Sequence, residues 1–179
     1  MLQKSSMLRT LELFFVSPNK AHYLMGMSRE IKLAHTSLKK NVKVLLKNGL
    51  IMELKEKRGG RVFPVYKARS DDKNFRRQKI SYNISALFES GVVDFIQEKL
   101  MPKSIVLFGS YARGEDTEQS DIDLFVECNE EELKLEKFEK KLGRTIEIHF
   151  KEHFNTYPNE LKNNIINGVV VSGFLEGCK

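Results

Sequence analysis

Leu107-Phe108-Gly109-Ser110-Tyr111-Ala112-Arg113-Gly114, followed after a polar spacer by Ser120-Asp121-Ile122-Asp123-Leu124, is the stretch of this 179-residue sequence on which the reading of the fold turns. An apolar run over 104–108 ends at a Gly-Ser turn and a polar loop, and a second run over 122–126 follows. Each has the length and composition of a short strand. Side chains alternate across a strand, so Asp121 and Asp123 project to one face while Ile122 and Leu124 point to a core. Two hard oxygen ligands on one face suit Mg²⁺, or Mn²⁺ in its place, which binds a few carboxylates and keeps part of its water.

Downstream of this centre, 129–143 is expected to be a helix. Asn129 opens a capping box closed by Glu132, and Leu135, Phe138 and Leu142 form its buried stripe. Lys140, Lys141 and Gly143 suit its C-terminal end. A third strand is expected over 145–150, a last helix over 158–167 stopped by Gly168, and a short strand over 169–171. Upstream, about 75–100 reads as helix broken at Gly91. Ile80, Ile84 and Leu87 stand at helical spacing, with Arg76, Arg77 and Lys79 near the start. The expected division is therefore a first domain over 1–72, a helical connector over 73–100, and a second domain over 101–179. The connector would hold the halves in a fixed relation or serve as a homodimer contact.

Charge divides the chain in the same way. Residues 1–87 hold 19 Lys and Arg against 6 Asp and Glu, a net of +13, whereas residues 88–179 hold 11 against 18, a net of −7. A basic half joined to an acidic one suggests two tasks, the first directed to a polyanion. The basic half reads helix, helix, helix, hairpin. Leu8, Leu11 and Phe15 mark the first helix, ending near Ser17-Pro18, and Leu24, Met27 and Ile31 the second. The third is capped by Thr36 or Ser37 and runs to Asn48, with Gly49 as its stop. Leu38, Val42, Leu45 and Leu46 lie on one side of it; Lys39, Lys40, Lys43 and Lys47 gather on the other. Strands over 50–56 and 61–68 flank a Lys57-Arg58-Gly59-Gly60 turn, and Pro64 confines the second to an edge.

The segment from Thr36-Ser37-Leu38 to Asn48-Gly49-Leu50-Ile51 resembles the recognition helix and wing entry of winged helix-turn-helix regulators, over about residues 5–70. That resemblance implies double-stranded DNA as a partner. Lys39, Lys40, Lys43 and Lys47 would meet the major groove, and Lys55, Lys57, Arg58 and Arg61 neighbouring phosphates or a minor groove. Lysines mainly position a protein on phosphate, so no base preference follows.

The Gly109-Ser110 and Asp121-Ile122-Asp123 motifs resemble the signature of minimal nucleotidyltransferases of the DNA polymerase beta superfamily, over roughly 90–175. The resemblance implies an α/β domain with a mixed sheet, in a two-domain α+β chain, and a nucleoside triphosphate, foremost ATP, as substrate. Gly109 would admit a triphosphate, Ser110 and the amides after it would hold its phosphates, and Arg113 would offset charge on the leaving pyrophosphate. Asp121 and Asp123 would be catalytic metal ligands, joined by Glu147 as the family's third carboxylate, with Glu152 a second candidate for that place. Two metal ions would clamp the attacking and leaving oxygens. His149 shares the face of Glu147 and is given no role; His22, His35, His153 and Tyr111 read as packing or surface residues. Larger relatives add a helical region for the base and acceptor, for which this chain has no room. Minimal domains of this type pair with a separate helical protein, in one arrangement as antitoxins that transfer AMP to a ribonuclease toxin.

Two functions therefore compete. One is an enzyme transferring AMP from ATP to a protein or small-molecule hydroxyl. The other is a DNA-binding regulator or antitoxin-like protein whose second domain senses nucleotide or docks a partner without turnover. Cys128 and Cys178 lack ligand-like spacing, so a reduced, cytoplasmic protein is expected. The apolar stretch over 7–16 is interrupted by Arg9 and Glu12 and is too short to span a bilayer, so no membrane association is expected.

Overall fold

The computed structural model describes residues 5–154 and 158–176, which leaves Cys178 outside the described residues. The chain forms two compact units, Met1–Arg77 and Gln78–Lys179.

In the first unit, three helices precede a hairpin: α1 (Ser6–Val16), α2 (Leu24–Glu30), α3 (His35–Lys47), β1 (Ile51–Arg58) and β2 (Arg61–Ala68). Ser5 caps α1 by accepting from the Leu8 amide at 3.2 Å. The third helix starts ahead of the expected Thr36 or Ser37 cap; its N-cap is Ala34, and no side chain caps it. At its other end Gly49 takes φ +69°, a left-handed conformation natural to glycine, and stops the helix where expected. Phe14, Phe15, Leu38, Val42 and Leu45 are buried. Between the helices, buried Asn41 donates to the Thr10 hydroxyl at 3.0 Å.

The hairpin is tighter than its sequence suggests. Arg58 pairs with Arg61, leaving only Gly59 and Gly60 in the turn, both at positive φ. Two consecutive left-handed residues make the primed turn that suits strand twist, so Lys57 and Arg58 join the strand. His22 and Tyr66 form an isolated antiparallel bridge, each amide donating to the other's carbonyl at 2.8 Å.

The boundary between the units falls inside α4 (Lys73–Ser90). The elements that follow are α5 (Val92–Leu100), β3 (Ser104–Phe108), α6 (Gly109–Arg113), β4 (Ile122–Val126), α7 (Glu136–Leu142), β5 (Ile146–Phe150), α8 (Asn159–Ile166) and β6 (Val169–Gly173). The four strands make one mixed sheet in the order β5-β4-β3-β6. The β3 strand runs antiparallel to β4 and β6, and β4 runs parallel to β5.

Alternation along the strands sorts the core into two faces. Ile105, Leu107, Ile122, Leu124, Val126 and Ile146 pack with Leu87, Val92, Val93 and Ile96. Val106, Phe108 and Phe125 face the other way, against Phe154 and Ile165. Both faces are thus covered over β3, whose five residues are all buried.

Two expectations need correction here. The segment 73–100 is not a connector separate from the two domains: Gly91 breaks it at φ +84° as expected, but Leu87, Val92, Val93 and Ile96 are core residues of the second unit. Lys79, near the start of that segment, is buried. The helix expected from Asn129 begins only at Glu136. Leu133 and Leu135 both pack on the core, and two residues apart on a helix they would face nearly opposite sides. Among the described residues, no helix is long and apolar enough to cross a membrane.

Candidate active site

The face of the sheet carrying Val106, Phe108 and Phe125 continues into polar residues at the edge toward β5. Asp123 stands beside Glu147 in the parallel register of β4 and β5, and His149 follows two residues later on the same face. One ligand atom from each of Asp123, Glu147 and His149 lies within 4.8 Å of the other two. The His149 Nε2 atom is 3.9 Å from an Asp123 carboxylate oxygen and 3.7 Å from one of Glu147. Its ring meets Phe108 edge-on at a centroid distance of 5.2 Å. Nε2 is buried and has no hydrogen-bond partner among the described residues. Two carboxylates and an imidazole nitrogen so placed form a donor set that fits a divalent cation.

Burial, above all, raises the Asp123 pKa above its ordinary value; Glu147 and Asp121 push the same way, while His149 and Arg113 oppose them. A cation against these oxygens would favour the ionised carboxylate.

The turn that follows β3 closes the site from its other side. Gly109 adopts φ +72°, and a Cβ there would overlap the Asp123 carboxylate. Glycine is therefore required twice, for its backbone conformation and for the space the carboxylate occupies. Ser110 sits in the first turn of α6, and its carbonyl accepts from the Glu115 amide at 3.0 Å. Arg113 is half-exposed, with its Nε 3.0 Å from a Glu115 carboxylate oxygen.

Of the residues singled out in the sequence, the structure sets Asp123 against Gly109 on one side and beside Glu147 on the other. Asp121 is exposed just ahead of β4 and is not part of the tight three-residue group. Glu152, the alternative third acid, lies beyond the end of β5, whereas Glu147 stands opposite Asp123. His149 is the residue the sequence reading passed over. Its signal was the Glu147-Ile148-His149 spacing, which repeats on β5 the alternation of Asp121-Ile122-Asp123.

In the first unit, Lys39, Lys40, Lys43 and Lys47 are all exposed on α3, opposite buried Leu38, Val42 and Leu45. Lys55, Lys57, Arg58 and Arg61 are exposed on the hairpin, and the Arg58 guanidinium lies 5.3 Å from the Tyr23 ring centroid.

Comparison with known proteins bears on the second unit. Residues 89–171 match the model of the nucleotidyltransferase domain family. Two Methanocaldococcus jannaschii proteins, each named "Putative protein adenylyltransferase", are 49% identical over 61 residues and 47% identical over 55 residues. Each alignment takes in 30% of this chain, and the chain spans 61% and 56% of the lengths of those relatives. A solved structure described as a "possible transcriptional regulator" from Methanosarcina mazei Go1 aligns with 54% of this chain and 79% of its own. Its identity is 18% and its TM-score 0.37, too low to bear on the fold. The domain match and the adenylyltransferase names together support a transferase.

Gly109→Ala is expected to expel the Asp123 carboxylate from its place and to strain the turn, lowering stability by about 1–3 kcal/mol. Urea unfolding and Mn²⁺ titration check this: the midpoint falls and Mn²⁺ affinity is lost together. Preserved affinity would mean that the carboxylate does not need the space Gly109 leaves.

Proposed function

We propose that the second unit transfers a nucleoside monophosphate, AMP from ATP, to a hydroxyl acceptor on a protein or small molecule. The observation that carries this reading is Asp123 opposite Glu147, with the Gly109 backbone against the Asp123 carboxylate. Asp121, Asp123 and Glu147 are assigned as the carboxylates that hold Mg²⁺ or Mn²⁺. Bound there, the cation would offset triphosphate charge and make the acceptor hydroxyl easier to deprotonate.

The chain's own groups have distinct tasks. Gly109 lets the backbone approach the triphosphate closely, and Ser110 with neighbouring amides donates hydrogen bonds to phosphate oxygens. Arg113 exchanges Glu115 for the pyrophosphate end of the nucleotide, where negative charge develops. The acceptor oxygen forms a bond to the α-phosphorus as the bond from that phosphorus to the bridging oxygen breaks. Pyrophosphate departs with the electron pair, and Glu147 or water takes the hydroxyl proton.

The first unit is assigned as a winged helix that binds double-stranded DNA, with α3 as its reading helix and the β1–β2 hairpin as its wing. Support comes from the order of helices and hairpin and from four lysines exposed on one helix face. A regulator whose second unit senses nucleotide or docks a partner without turnover is the competing reading, and it keeps the same DNA surface.

Incubation with α-labelled ATP, Mg²⁺ and a lysate containing natural partners tests the transfer. The wild type is expected to label an acceptor, and Asp123→Asn to reduce labelling by orders of magnitude while the fold and DNA binding persist. Absence of labelling by the wild type with any nucleotide, with Mg²⁺ or Mn²⁺, would favour the regulator.

For the DNA surface, replacing Lys39, Lys43 and Lys47 by Ala should weaken duplex binding. The dependence of log affinity on log salt should flatten by about 0.9 for each phosphate contact removed. An unchanged slope would place the contact elsewhere.

A further inference from the structure

A second polar cluster lies buried in the same unit, apart from the acids. Asp116 is 2% exposed, Lys79 and Asn83 are each 1% exposed, and the Arg144 side chain is 6% exposed. One Asp116 carboxylate oxygen accepts from the Asn83 amide at 2.8 Å. The other lies 3.1 Å from the Lys79 ammonium and 3.4 Å from the Arg144 guanidinium. Lys79 also donates to the Asp116 backbone carbonyl. The Asn83 amide makes a second bond, donating to the Tyr111 carbonyl at 2.8 Å.

Placement makes this more than a buried ion pair. Tyr111 belongs to α6, one residue beyond Ser110. Asp116 lies midway along the loop from α6 to Asp121. Arg144 stands three residues before Glu147, and the neighbouring Thr145 carbonyl accepts from the Ile122 amide at 2.9 Å. The cluster thus touches α6 just after Ser110 and the leads into β4 and β5. The loop between them is held further by the Thr117 amide, which donates to the Ser120 hydroxyl at 2.9 Å.

We infer that Asp116, gripped by Lys79, Asn83 and Arg144, is a positioning residue that sets the Gly109-Ser110 turn, the Asp121–Asp123 strand and Glu147 relative to one another. This rests on the transferase reading of that site. Burying a carboxylate with two cations is a poor device for stability alone, because a well-packed apolar group often serves as well. Three oriented hydrogen-bond donors on one carboxylate do fix a loop in direction, which apolar packing does less well. Metal ligands and phosphate donors need that accuracy, since a displacement of about 1 Å can cost roughly a hundredfold in rate.

Asp116→Asn removes the carboxylate charge and leaves two buried cations, a change expected to destabilise the whole unit, so gentler variants decide the matter. Arg144→Met keeps the Lys79–Asp116 pair, Asn83→Ala cuts the tie to α6, and Arg144→Lys restores a cation. In the full-length chain, Arg144→Met and Asn83→Ala are expected to keep the thermal transition. Hydrogen exchange should quicken over 110–121 but not in β3 and β4. The Mg²⁺ concentration for half-maximal transfer should rise at least about tenfold, with Arg144→Lys recovering most of it. Loss of folded molecules alone would lower the rate without moving the Mg²⁺ requirement. Unchanged exchange, or faster exchange with an unmoved Mg²⁺ requirement, would overturn the inference. Should the wild type transfer nothing, the transferase reading fails separately; Mn²⁺ affinity measured by electron paramagnetic resonance then replaces the Mg²⁺ requirement and decides the positioning role by the same pattern.

Discussion

Two carboxylates in register on adjacent parallel strands repel one another, and the second unit is built around holding them there. Asp123 and Glu147 are paired across β4 and β5, with His149 the nearest positive group when protonated. Repulsion between like charges about 4 Å apart is roughly 1 kcal/mol in water and several-fold larger where water is displaced. The sheet withstands it because the opposite faces of the same strands are apolar: Ile122, Leu124, Ile146 and Ile148 pack into the core cluster. What the acids cost, burial of these neighbours offsets. A divalent cation converts the repulsion into attraction, so the unfavourable pairing is informative about function.

Position is controlled from two further directions. Gly109 brings the backbone of α6 against Asp123 because it has no Cβ to obstruct it. The Asp116 cluster ties α6 and the leads into β4 and β5 to one buried point. A site assembled from a turn and two strands depends on such cross-ties, since each segment alone leaves its side chains free to move relative to the others.

The strands of this unit were legible because short apolar runs at 104–108 and 122–126 are set off by turn residues. The Asp-x-Asp spacing also showed that Asp123 leaves the core face taken by Ile122 and Leu124. Other features were not legible, for physical reasons. Lys79 reads as one more cation at the start of a helix; its partner Asp116 is distant in sequence, and only tertiary structure brings them together. The capping box at Asn129 is a local signal, and it lost to the packing of Leu133 and Leu135. His149 lay in plain sight on the strand face, but the register of β5 against β4 was needed to set it beside Asp123. In the first unit, the lysine face of α3 followed directly from helical periodicity, whereas the hairpin's length depended on Gly59 and Gly60 both taking positive φ.

The central claim is that the carboxylates beside Gly109 form a metal–nucleotide site. A crystal of the full chain grown with Mn²⁺ and an ATP analogue that cannot be cleaved between its α- and β-phosphates tests it most directly. Anomalous scattering is predicted to place Mn²⁺ between Asp123 and Glu147, with the triphosphate along the Gly109-Ser110 turn. Nucleotide bound at another surface, or Mn²⁺ absent from these carboxylates at saturating nucleotide, would contradict the account.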